Sequence, residues 1–386
     1  MTSKVDLSTA ADQCVMCGMC LPQCPTYQVS HHEAESPRGR ISLIKALYEG
    51  KLAPSKGLEE HIQSCTGCLR CQQVCPANVD YQTILDTGRS LYRSQQSVAS
   101  RLLHTASIEA ATHAWGHTAI RLISHMTNQI PSTNRRIGLL KYASASAHDN
   151  PANSPHQSTV NVFAGCTGTL FDRQTLRSLI QLLNAIGVHA KLPNAIMCCG
   201  ALSQHSGVLT KAQQNMSDLQ RYLSEQSSNI LLSFASGCGR QLNEQLADTN
   251  VMHFDAMHWL SIQKAFNDIK FSDTPKRVLI HHPCTQETSH RQRTYYMLER
   301  LPNIELLEFN DEFLCCGAGG LQLISPQPSN ERLLDKKIAI IRSTQPDMII
   351  SSNIGCSLNY RLGLETNRLD IEVIHPLTLL ARQMII

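Results

Sequence analysis

The stretch CVMCGMCLPQCP, residues 14–25, contains four cysteines and ends on a proline. The stretch CTGCLRCQQVCP, residues 65–76, repeats the same C-x2-C-x2-C-x3-C-P spacing. Disulfides are a disfavoured use for these thiols, because large intracellular proteins rarely keep them. Structural zinc sites usually join two close cysteine pairs across a longer arm, whereas each run here places three sulfurs together and a fourth three residues on. The spacing therefore favours an iron–sulfur site over a zinc site.

The C-x2-C-x2-C-x3-C-P run is typical of bacterial ferredoxins, in which the fourth cysteine of each run ligates the other cluster. Two runs predict two 4Fe–4S clusters with crossed ligation. Cluster 1 is assigned Cys14, Cys17, Cys20 and Cys75, and cluster 2 is assigned Cys65, Cys68, Cys71 and Cys24.

The segment SPRGRISLIKALYEGK, residues 36–51, separates the two runs. Ser36 or Pro37 is expected to open a helix, because apolar residues follow at close to helical period. The helix is expected to pack over the clusters and exclude water. Arg38 and Arg40 have two interpretations: they raise a cluster potential or face an acidic partner, or they are solvated residues of the first helical turn.

Size and composition restrict the class of protein. A chain of 386 residues with 42% hydrophobic and 17% charged residues is expected to form two to four globular domains. A formal charge of +3 gives no reason to expect a nucleic-acid partner. We expect a cytoplasmic protein, since the sequence shows neither a signal peptide nor an apolar run of membrane-spanning length.

The other eight cysteines form two sets of four, separated by a constant distance in the sequence. The offsets between equivalent cysteines are 118, 117, 117 and 118, and the flanking residues also agree, as in MCCGALS and LCCGAGG. Such agreement indicates an internal duplication. The sets are Cys166, Cys198, Cys199 and Cys238, and Cys284, Cys315, Cys316 and Cys356.

Each repeat alternates apolar strand-like runs with helical segments. Three of the cysteine positions in a repeat follow a predicted strand, and the carboxyl ends of parallel strands meet at one crevice. Each set is therefore expected to form a metal site. The predicted fold is α+β: a helical bis-4Fe–4S ferredoxin-like domain (1–95), a helical connector (96–158), and two duplicated α/β CCG modules (159–272 and 273–386).

Two ferredoxin-type runs followed by two CCG modules resemble the iron–sulfur subunits of flavoenzymes and of heterodisulfide-reductase-like proteins. The closer resemblance is to the iron–sulfur subunit of bacterial glycolate oxidase (glycolate dehydrogenase). It rests on CVMCGMCLPQCPTYQ, SPRGRISLIK, CCGA, ASGCG, HHPCT, CCGAGG and NIGC, and it extends over essentially the whole chain.

The resemblance implies an electron-transfer subunit that pairs with FAD-binding subunits and passes electrons toward a quinone or another membrane acceptor. It implies no catalytic residue in this chain, no cofactor-binding residues beyond the cluster ligands, and flavin on the partner subunits. A full CCG module ends in C-x2-C, but this chain has Gln241 and Asn359 at the last position. Four thiolates can still hold a conventional cluster or another metal in one or both modules.

Several alternatives remain open from the sequence. The same plan fits the equivalent subunit of a lactate or glycerol-3-phosphate dehydrogenase complex. A heterodisulfide-reductase-like enzyme is disfavoured by the missing fifth cysteines, and a zinc scaffold by the C-x3-C-P spacing. His281 and His282, beside Cys284, either tune or ligate a metal or are satisfied polar residues at a strand end.

A membrane-facing helix is a further expectation. Trp115, Ala119, Leu122 and Met126 fall on one stripe of a helix in a segment with basic flanks. Such a helix lies on an anionic membrane surface or packs as core. The first interpretation predicts peripheral attachment to the inner face of the cytoplasmic membrane.

Overall fold

The computed structural model describes residues 7–127, 135–143, 158–274, 276–310 and 315–385. The chain divides into two compact units. Unit one contains Met1–Ile108, Leu202–Ala212 and Asp311–Lys337, and unit two contains Glu109–Ala201, Gln213–Asn310 and Ile338–Ile386. Unit one thus combines the predicted ferredoxin-like domain with two later segments, and the domain boundaries drawn from the sequence stay a prediction.

The first part of the chain is helical. Its helices are α1 (Leu7–Asp12), α2 (Pro25–Ser30), α3 (Pro37–Tyr48), α4 (Lys56–Gln63), α5 (Arg70–Gln73), α6 (Tyr81–Ser94) and α7 (Val98–Thr112), with a 3-10 turn at Glu33–Glu35.

Helix α3 begins where the sequence indicates. Ser36 is the N-cap and its hydroxyl accepts from the Gly39 amide at 2.9 Å, while Pro37 occupies the first turn, where no amide donor is needed. Ile41, Ile44 and Leu47 are buried on one face of the helix. They belong to a core that also contains side chains of α4 and α6 and the predicted ligands Cys65 and Cys71. The predicted helix is therefore present and its apolar face is core, while its packing over the clusters stays a prediction.

The first CCG repeat forms a parallel sheet with strand order β2-β1-β3-β4. Its strands are β1 (Ser158–Phe163), β2 (Val188–Lys191), β3 (Ile230–Ser233) and β4 (Met252–Asp255). The helices from the connector through this repeat are α8 (Ala114–Thr127), α9 (Arg135–Leu140), α10 (Gly165–Phe171), α11 (Arg173–Ala185), α12 (Ala201–His205), α13 (Leu209–Ser224), α14 (Ser236–Leu246) and α15 (Ala256–Ser261).

The second repeat forms another parallel sheet, with the order β7-β6-β8-β9. A short 3-10 turn (Lys264–Asp268) and strand β5 (Lys270–Phe271) precede it, and β5 pairs with β10 (Met384–Ile385). The remaining elements are β6 (Lys276–His281), α16 (Thr288–Leu298), β7 (Ile304–Glu308), a 3-10 turn (Gly320–Leu323), α17 (Pro328–Thr344), β8 (Met348–Ser351), α18 (Ile354–Thr366), β9 (Glu372–Ile374) and α19 (Pro376–Gln383).

The two sheets share one strand order, which confirms the α+β class with duplicated α/β modules. In each, the direction of chain progression reverses at the first strand of the repeat: β1 lies between β2 and β3, and β6 lies between β7 and β8. The crevice outside the carboxyl ends of those strands is where open α/β sheets bind ligands. Cys166 follows β1 and Cys238 follows β3, so the first cysteine set belongs to that crevice.

Within unit two the modules contact each other through buried polar groups. The His375 ring donates from Nε2 to the Phe234 carbonyl at 2.8 Å, and the Leu377 amide donates to its Nδ1 at 3.1 Å. The Ser236 amide donates to the Ser352 carbonyl at 2.9 Å. These bonds join the region after β3 to the second repeat.

The stripe on α8 is not core where its side chains are described. Trp115 is 60% exposed and Leu122 is 64% exposed, while Ala119 is half-buried. The Met126 side chain lies outside the described residues. Among the helices that the structure describes, none combines the length and apolarity needed to cross a membrane.

Candidate metal centres

The four cysteines assigned to cluster 1 line one cavity in unit one. Cys14, Cys17, Cys20 and Cys75 surround it, together with apolar side chains of the first run and the start of α3. The loop is tightly wound: Gly18 has φ +84, and a Cβ there would lie 3.2 Å from Nη1 of Arg38. Cys17 is exposed and the other three are half-buried, so this cavity is near the surface of the unit.

The four cysteines assigned to cluster 2 line a second cavity in the same unit. Cys24, Cys65, Cys68 and Cys71 surround it with Thr26, Arg40 and Tyr81, and all four thiols are buried. Cys24 lies with the three cysteines of the later run, and Cys75 lies with the three of the earlier run. The fourth cysteine of each run thus points to the other cavity.

Pro37, Cys71 and Tyr81 line both cavities and so lie between them. Pro37 is the first residue of α3, so the amino end of a 12-residue helix borders both cavities. Amide donors at such an end favour negative charge, which an iron–sulfur cluster with four thiolate ligands carries.

The donor chemistry of both cavities fits iron–sulfur clusters. The eight cysteines of the dicluster region are free thiols, and each cavity brings together the four of its predicted ligand set. Burial raises the pKa of Cys68 to about 12, and burial likewise holds the pKa of Cys71 well above its usual value. Such thiols stay protonated at neutral pH unless a metal ion binds, and a coordinating cation deprotonates them outright.

Arg40 is a buried cation next to Cys24. Its side chain is 1% exposed and forms an ion pair with Glu35 at 2.8 Å. Nη1 lies 3.9 Å from the Cys24 sulfur, and Nε donates to the His61 carbonyl at 2.7 Å. Although burial opposes it, the charges of Cys65, Tyr81, Cys24 and Glu35 keep the pKa of Arg40 above its usual value. The solvated interpretation therefore does not apply to this arginine.

Arg38 differs from Arg40 in both exposure and partner. Its guanidinium donates to both carboxylate oxygens of Glu33, at 2.7 and 3.3 Å, and to the Met16 carbonyl at 2.8 Å. The side chain is 28% exposed. Arg38 therefore holds the first cysteine loop by its backbone, and water screens its charge.

The first CCG set converges in unit two. The Cys166 sulfur lies 3.6 Å from the Cys198 sulfur, although 32 residues separate them in the sequence. Cys199 is hydrogen-bonded with both Cys198 and Cys238, so the four thiols form one group. The amide of Gly200 donates to the Cys198 sulfur at 3.4 Å. This residue has φ +81, which a residue with a side chain rarely adopts.

One sulfur of this group, that of Cys198, accepts hydrogen bonds from its neighbours. Hydrogen bonds from Cys166 and Cys199 lower the pKa of Cys198 well below its usual value. The hydrogen bond with Cys198, together with burial, raises the pKa of Cys166, and the same causes raise that of Cys199. Four convergent thiols with one favoured thiolate are a suitable metal-binding group.

The second CCG set is divided between the two units along the sequence. Cys284 and Cys356 belong to unit two, and Cys315 and Cys316 belong to unit one, so a metal site shared by all four stays a prediction. Gly317 repeats the arrangement of the first CCG turn: its amide donates to the Cys315 sulfur at 3.4 Å, and its φ is +84. A Cβ there would lie 2.5 Å from the Asn330 carbonyl oxygen. The glycine of each CCG is thus required by the backbone.

The two histidines next to Cys284 have different surroundings. His281 is buried and within 4.8 Å of the Cys356 sulfur, and its Nδ1 is 3.0 Å from the Ser351 hydroxyl. His282 instead bonds the Tyr295 hydroxyl at 2.9 Å, and burial lowers its pKa. Of the two, His281 is the one placed close to a predicted ligand.

The positions that lack the fifth CCG cysteine are inside the fold. Gln241 lies on α14 and Asn359 on α18, and both are buried. An amide is not a thiolate ligand, so neither position supplies a further sulfur to its module.

Two side chains near the thiols gave no sequence signal. Tyr81 is buried, lines both cluster cavities and donates its hydroxyl to the Cys65 sulfur at 3.6 Å. His113, between α7 and α8, adds to the hydrogen bonds from Cys166 and Cys199 that lower the pKa of Cys198. Each belongs to a segment whose place beside the thiols depends on tertiary packing.

Comparisons with known proteins agree with this organisation. A 4Fe-4S dicluster domain matches residues 10–79, and a cysteine-rich domain, CCG, matches residues 160–243 and 278–361. The chain therefore contains a dicluster domain followed by two cysteine-rich domains, which is the class of iron–sulfur protein that the two pairs of repeats define.

Full-length relatives make the similarity more specific. The chain is 27% identical to the probable glycolate oxidase iron-sulfur subunit of Bacillus subtilis, over 93% of this chain and 90% of that one. It is also 27% identical to the glycolate oxidase iron-sulfur subunit of Escherichia coli, over 89% and 88%. A subunit of the fumarate reductase (CoM/CoB) of Methanothermobacter marburgensis is 24% identical, over 95% and 71%. The resemblance to glycolate oxidase iron–sulfur subunits is confirmed.

Proposed function

We propose that this chain is the iron–sulfur electron-transfer subunit of a flavin-dependent 2-hydroxy-acid dehydrogenase, with glycolate as the substrate of the complex. The observation that carries the proposal is the pair of cavities in unit one, each lined by the four cysteines of one predicted ligand set. Relatives named as glycolate oxidase subunits match nearly the whole chain and support the choice of substrate.

The division of labour follows from the chemistry. Oxidation of a 2-hydroxy acid to a 2-oxo acid removes two electrons, and a flavin accepts them as a hydride. Iron–sulfur clusters carry one electron at a time, so they relay the pair singly. The sequence contains no G-x-G-x-x-G dinucleotide motif. Flavin and substrate therefore belong to FAD-binding partner subunits, and a quinone is the proposed acceptor.

The ligand sets are part of the proposal. Cys14, Cys17, Cys20 and Cys75 hold cluster 1, and Cys24, Cys65, Cys68 and Cys71 hold cluster 2, with the thiolates supplied by this chain. When bound, the clusters supply one-electron redox chemistry. The protein contributes the separating wall of Pro37 and Tyr81 and the dry surroundings of the second thiol group.

The first experiment counts metal. The full chain, purified anaerobically with its flavoprotein partners, is expected to contain about eight irons in the dicluster part, with sulfide to match. Replacing Cys24 with alanine is expected to remove about four of them, although the other three ligands lie more than forty residues away. Zinc in place of iron, or loss of both clusters in every single-cysteine variant, contradicts the assignment.

The second experiment identifies the substrate. Under anaerobic conditions the complex is mixed with glycolate, lactate or glycerol 3-phosphate, and cluster reduction is followed by electron paramagnetic resonance. Glycolate is expected to reduce the clusters fastest. Faster reduction by lactate or glycerol 3-phosphate would replace glycolate as the substrate while leaving the electron-transfer role intact.

Peripheral membrane attachment is the remaining part of the proposal. Trp115 and Leu122, with Ile123 beside them, are exposed on α8, and exposed aromatic and aliphatic side chains favour the membrane interface. Arg121 on the same helix donates to the Thr169 carbonyl at 3.3 Å, so it is tied to the protein as well. Co-sedimentation of the complex with anionic vesicles tests the idea: Trp115→Ala should reduce binding, and unchanged binding contradicts it.

A further inference from the structure

The two cluster cavities differ in the side chains that reach their sulfurs. Arg40 Nη1 lies 3.9 Å from the Cys24 sulfur, and the Tyr81 hydroxyl donates to the Cys65 sulfur at 3.6 Å. The Thr26 hydroxyl also lies 3.3 Å from the Cys24 sulfur, but it donates its proton to the Glu35 carbonyl at 2.9 Å. Both sulfurs belong to the buried cavity. In the cavity assigned to cluster 1, the side-chain contact found for a cysteine sulfur among the described residues is between Cys14 and the Met16 sulfur, at 4.0 Å.

We propose that Arg40 and Tyr81 are potential-tuning residues that act on cluster 2 alone and make it easier to reduce than its burial would allow. The inference rests on the proposed ligand sets. It adds that two clusters with identical cysteine motifs have reduction potentials that are tuned differently by the protein.

The physical basis is the charge that reduction adds. An electron entering a cluster increases the negative charge on its sulfurs, and hydrogen bonds to those sulfurs stabilise the reduced form. Burial does the opposite, because it removes the water that would stabilise the added charge. Cys24, Cys65, Cys68 and Cys71 are all buried, so cluster 2 needs donors from the protein to compensate.

Arg40 is held in place by many partners. Its Nη2 donates to Glu35 Oε2 and Ser64 Oγ, both at 2.8 Å, and to Thr26 Oγ1 at 3.0 Å. Ser64 in turn donates to Glu35 at 2.6 Å. Such a fixed fork keeps one N–H edge beside the Cys24 sulfur. Glu35 offsets much of the net charge, so the hydrogen-bonding edge, rather than long-range charge, carries the effect.

Tyr81 provides the cleaner test of the idea. It opens α6 next to its N-cap, Asp80, and its ring is buried between the two cavities. Although it borders both, its hydroxyl is directed to a sulfur of cluster 2. Replacing tyrosine with phenylalanine removes that one O–H donor and keeps the wall between the clusters.

Arg38 is the corresponding cation near cluster 1, and it is placed differently. Its guanidinium is bidentate on Glu33 and partly exposed. The group that reaches Cys20 is the backbone amide of Arg38, which opposes the rise that burial causes in the pKa of that thiol. Replacing Arg38 is therefore not expected to shift a cluster reduction potential as replacing Arg40 does.

The experiment is a redox titration of both clusters in the full-length protein, followed by electron paramagnetic resonance. In Tyr81→Phe, the equilibrium constant for reduction of one cluster is expected to fall about three- to tenfold, where tenfold corresponds to about 59 mV for a one-electron couple. The other cluster should keep its potential. Arg40→Lys, which keeps the charge and loses the fork, is expected to shift the same cluster in the same direction.

Tyr92→Phe is the matched control. Tyr92 is also buried on α6, but its hydroxyl lies 3.2 Å from Glu59 and 3.3 Å from the Ser55 carbonyl, away from any cysteine. It should leave both potentials unchanged. The inference is overturned by an equal shift of both cluster potentials, by no shift in Tyr81→Phe, or by a similar shift in Tyr92→Phe. Iron counts of about eight in these proteins would still keep the proposed function intact. A native protein without two clusters overturns both.

Discussion

The two pairs of repeats in this chain bring their cysteines together in different ways. In the dicluster region, three cysteines of each predicted ligand set come from one short run, and the fourth comes from the other run. In the first CCG module, thiols from residues as far apart as Cys166 and Cys238 meet beyond the ends of parallel strands. The first arrangement places the thiols on short cysteine-containing loops, and the second places them at the end of a sheet that has its own core.

The difference predicts where stability comes from. The dicluster core contains predicted ligand cysteines among its apolar side chains, so we expect metal removal to leave part of that core as buried, unligated thiols. The strands of the CCG modules are buried through aliphatic residues such as Val160, Leu232 and Ile350. These strands need no metal to pack.

Metal removal should therefore have the greatest consequence. Treating the reconstituted protein with a chelator and an oxidant should abolish the hydrogen-exchange protection of residues 7–95, whose short helices are unstable without tertiary support. The strands between residues 158 and 374 should stay protected. Peptide-resolved exchange by mass spectrometry measures both regions in one sample, and equal protection of the two after metal loss contradicts the comparison.

A backbone clash in the dicluster region should have the second-largest effect on stability. A Cβ at Gly39 would lie 2.0 Å from the Glu33 carbonyl oxygen, and backbone cannot move aside as a flexible side chain can. Gly39→Ala is expected to lower the free energy of unfolding by about 3 kcal/mol. Denaturant titration of the metal-loaded protein measures the loss. Wild-type stability in this variant would mean that the turn before α3 is more adaptable than its packing indicates.

The CCG modules should show a pH dependence that does not involve metal. Burial lowers the pKa of His375 to about 4, from 6.5. Because this pKa is lowered in the folded protein, the unfolded chain binds the proton first as the pH falls. The contribution of His375 to stability is therefore present above pH 6.5 and is lost as the pH falls toward 4. Lowering the pH from about 7 to about 5 should, through this histidine, lower the free energy of unfolding by about 2 kcal/mol.

His375→Asn provides the control for that prediction. Asparagine can cap α19 as His375 does, but it does not titrate. Urea titrations of the two proteins at about pH 7 and about pH 5 should therefore differ in slope with pH. The same pH dependence in both would assign the effect to other groups.

A small gain of stability is the mildest change expected. A Cβ added at Gly57, in the first turn of α4, would have no atom within 4 Å, and alanine restricts the unfolded chain more than glycine does. Gly57→Ala should raise the free energy of unfolding by about 0.5 kcal/mol in the same denaturant titration. Since it lies in the same region as Gly39, the opposite signs of the two alanine variants separate backbone contact from chain entropy. A loss in Gly57→Ala would contradict that separation.

Much of the fold could be predicted from the sequence because the relevant signals are local. Ser36 and Pro37 indicated the start of α3, and the apolar run VNVF indicated β1. The constant offsets between the two CCG sets predicted two modules of one design, and both sheets have the same strand order. The helical stripe on α8 was also present, but its exposure could not be read from periodicity, since a stripe is equally compatible with core, membrane or partner contact.

Cysteine spacing was enough to define the class of protein. Eight cysteines at ferredoxin spacing and eight in a duplicated pattern specify thiolate chemistry, because spacing within a run fixes which sulfurs can share a site. The surroundings of those sulfurs came from tertiary structure instead. It buried Arg40 and exposed part of Arg38, two residues apart in one motif, and it placed the Tyr81 hydroxyl on Cys65. Burial and side-chain contact depend on elements distant in sequence, so identical cysteine motifs come to lie in unequal environments.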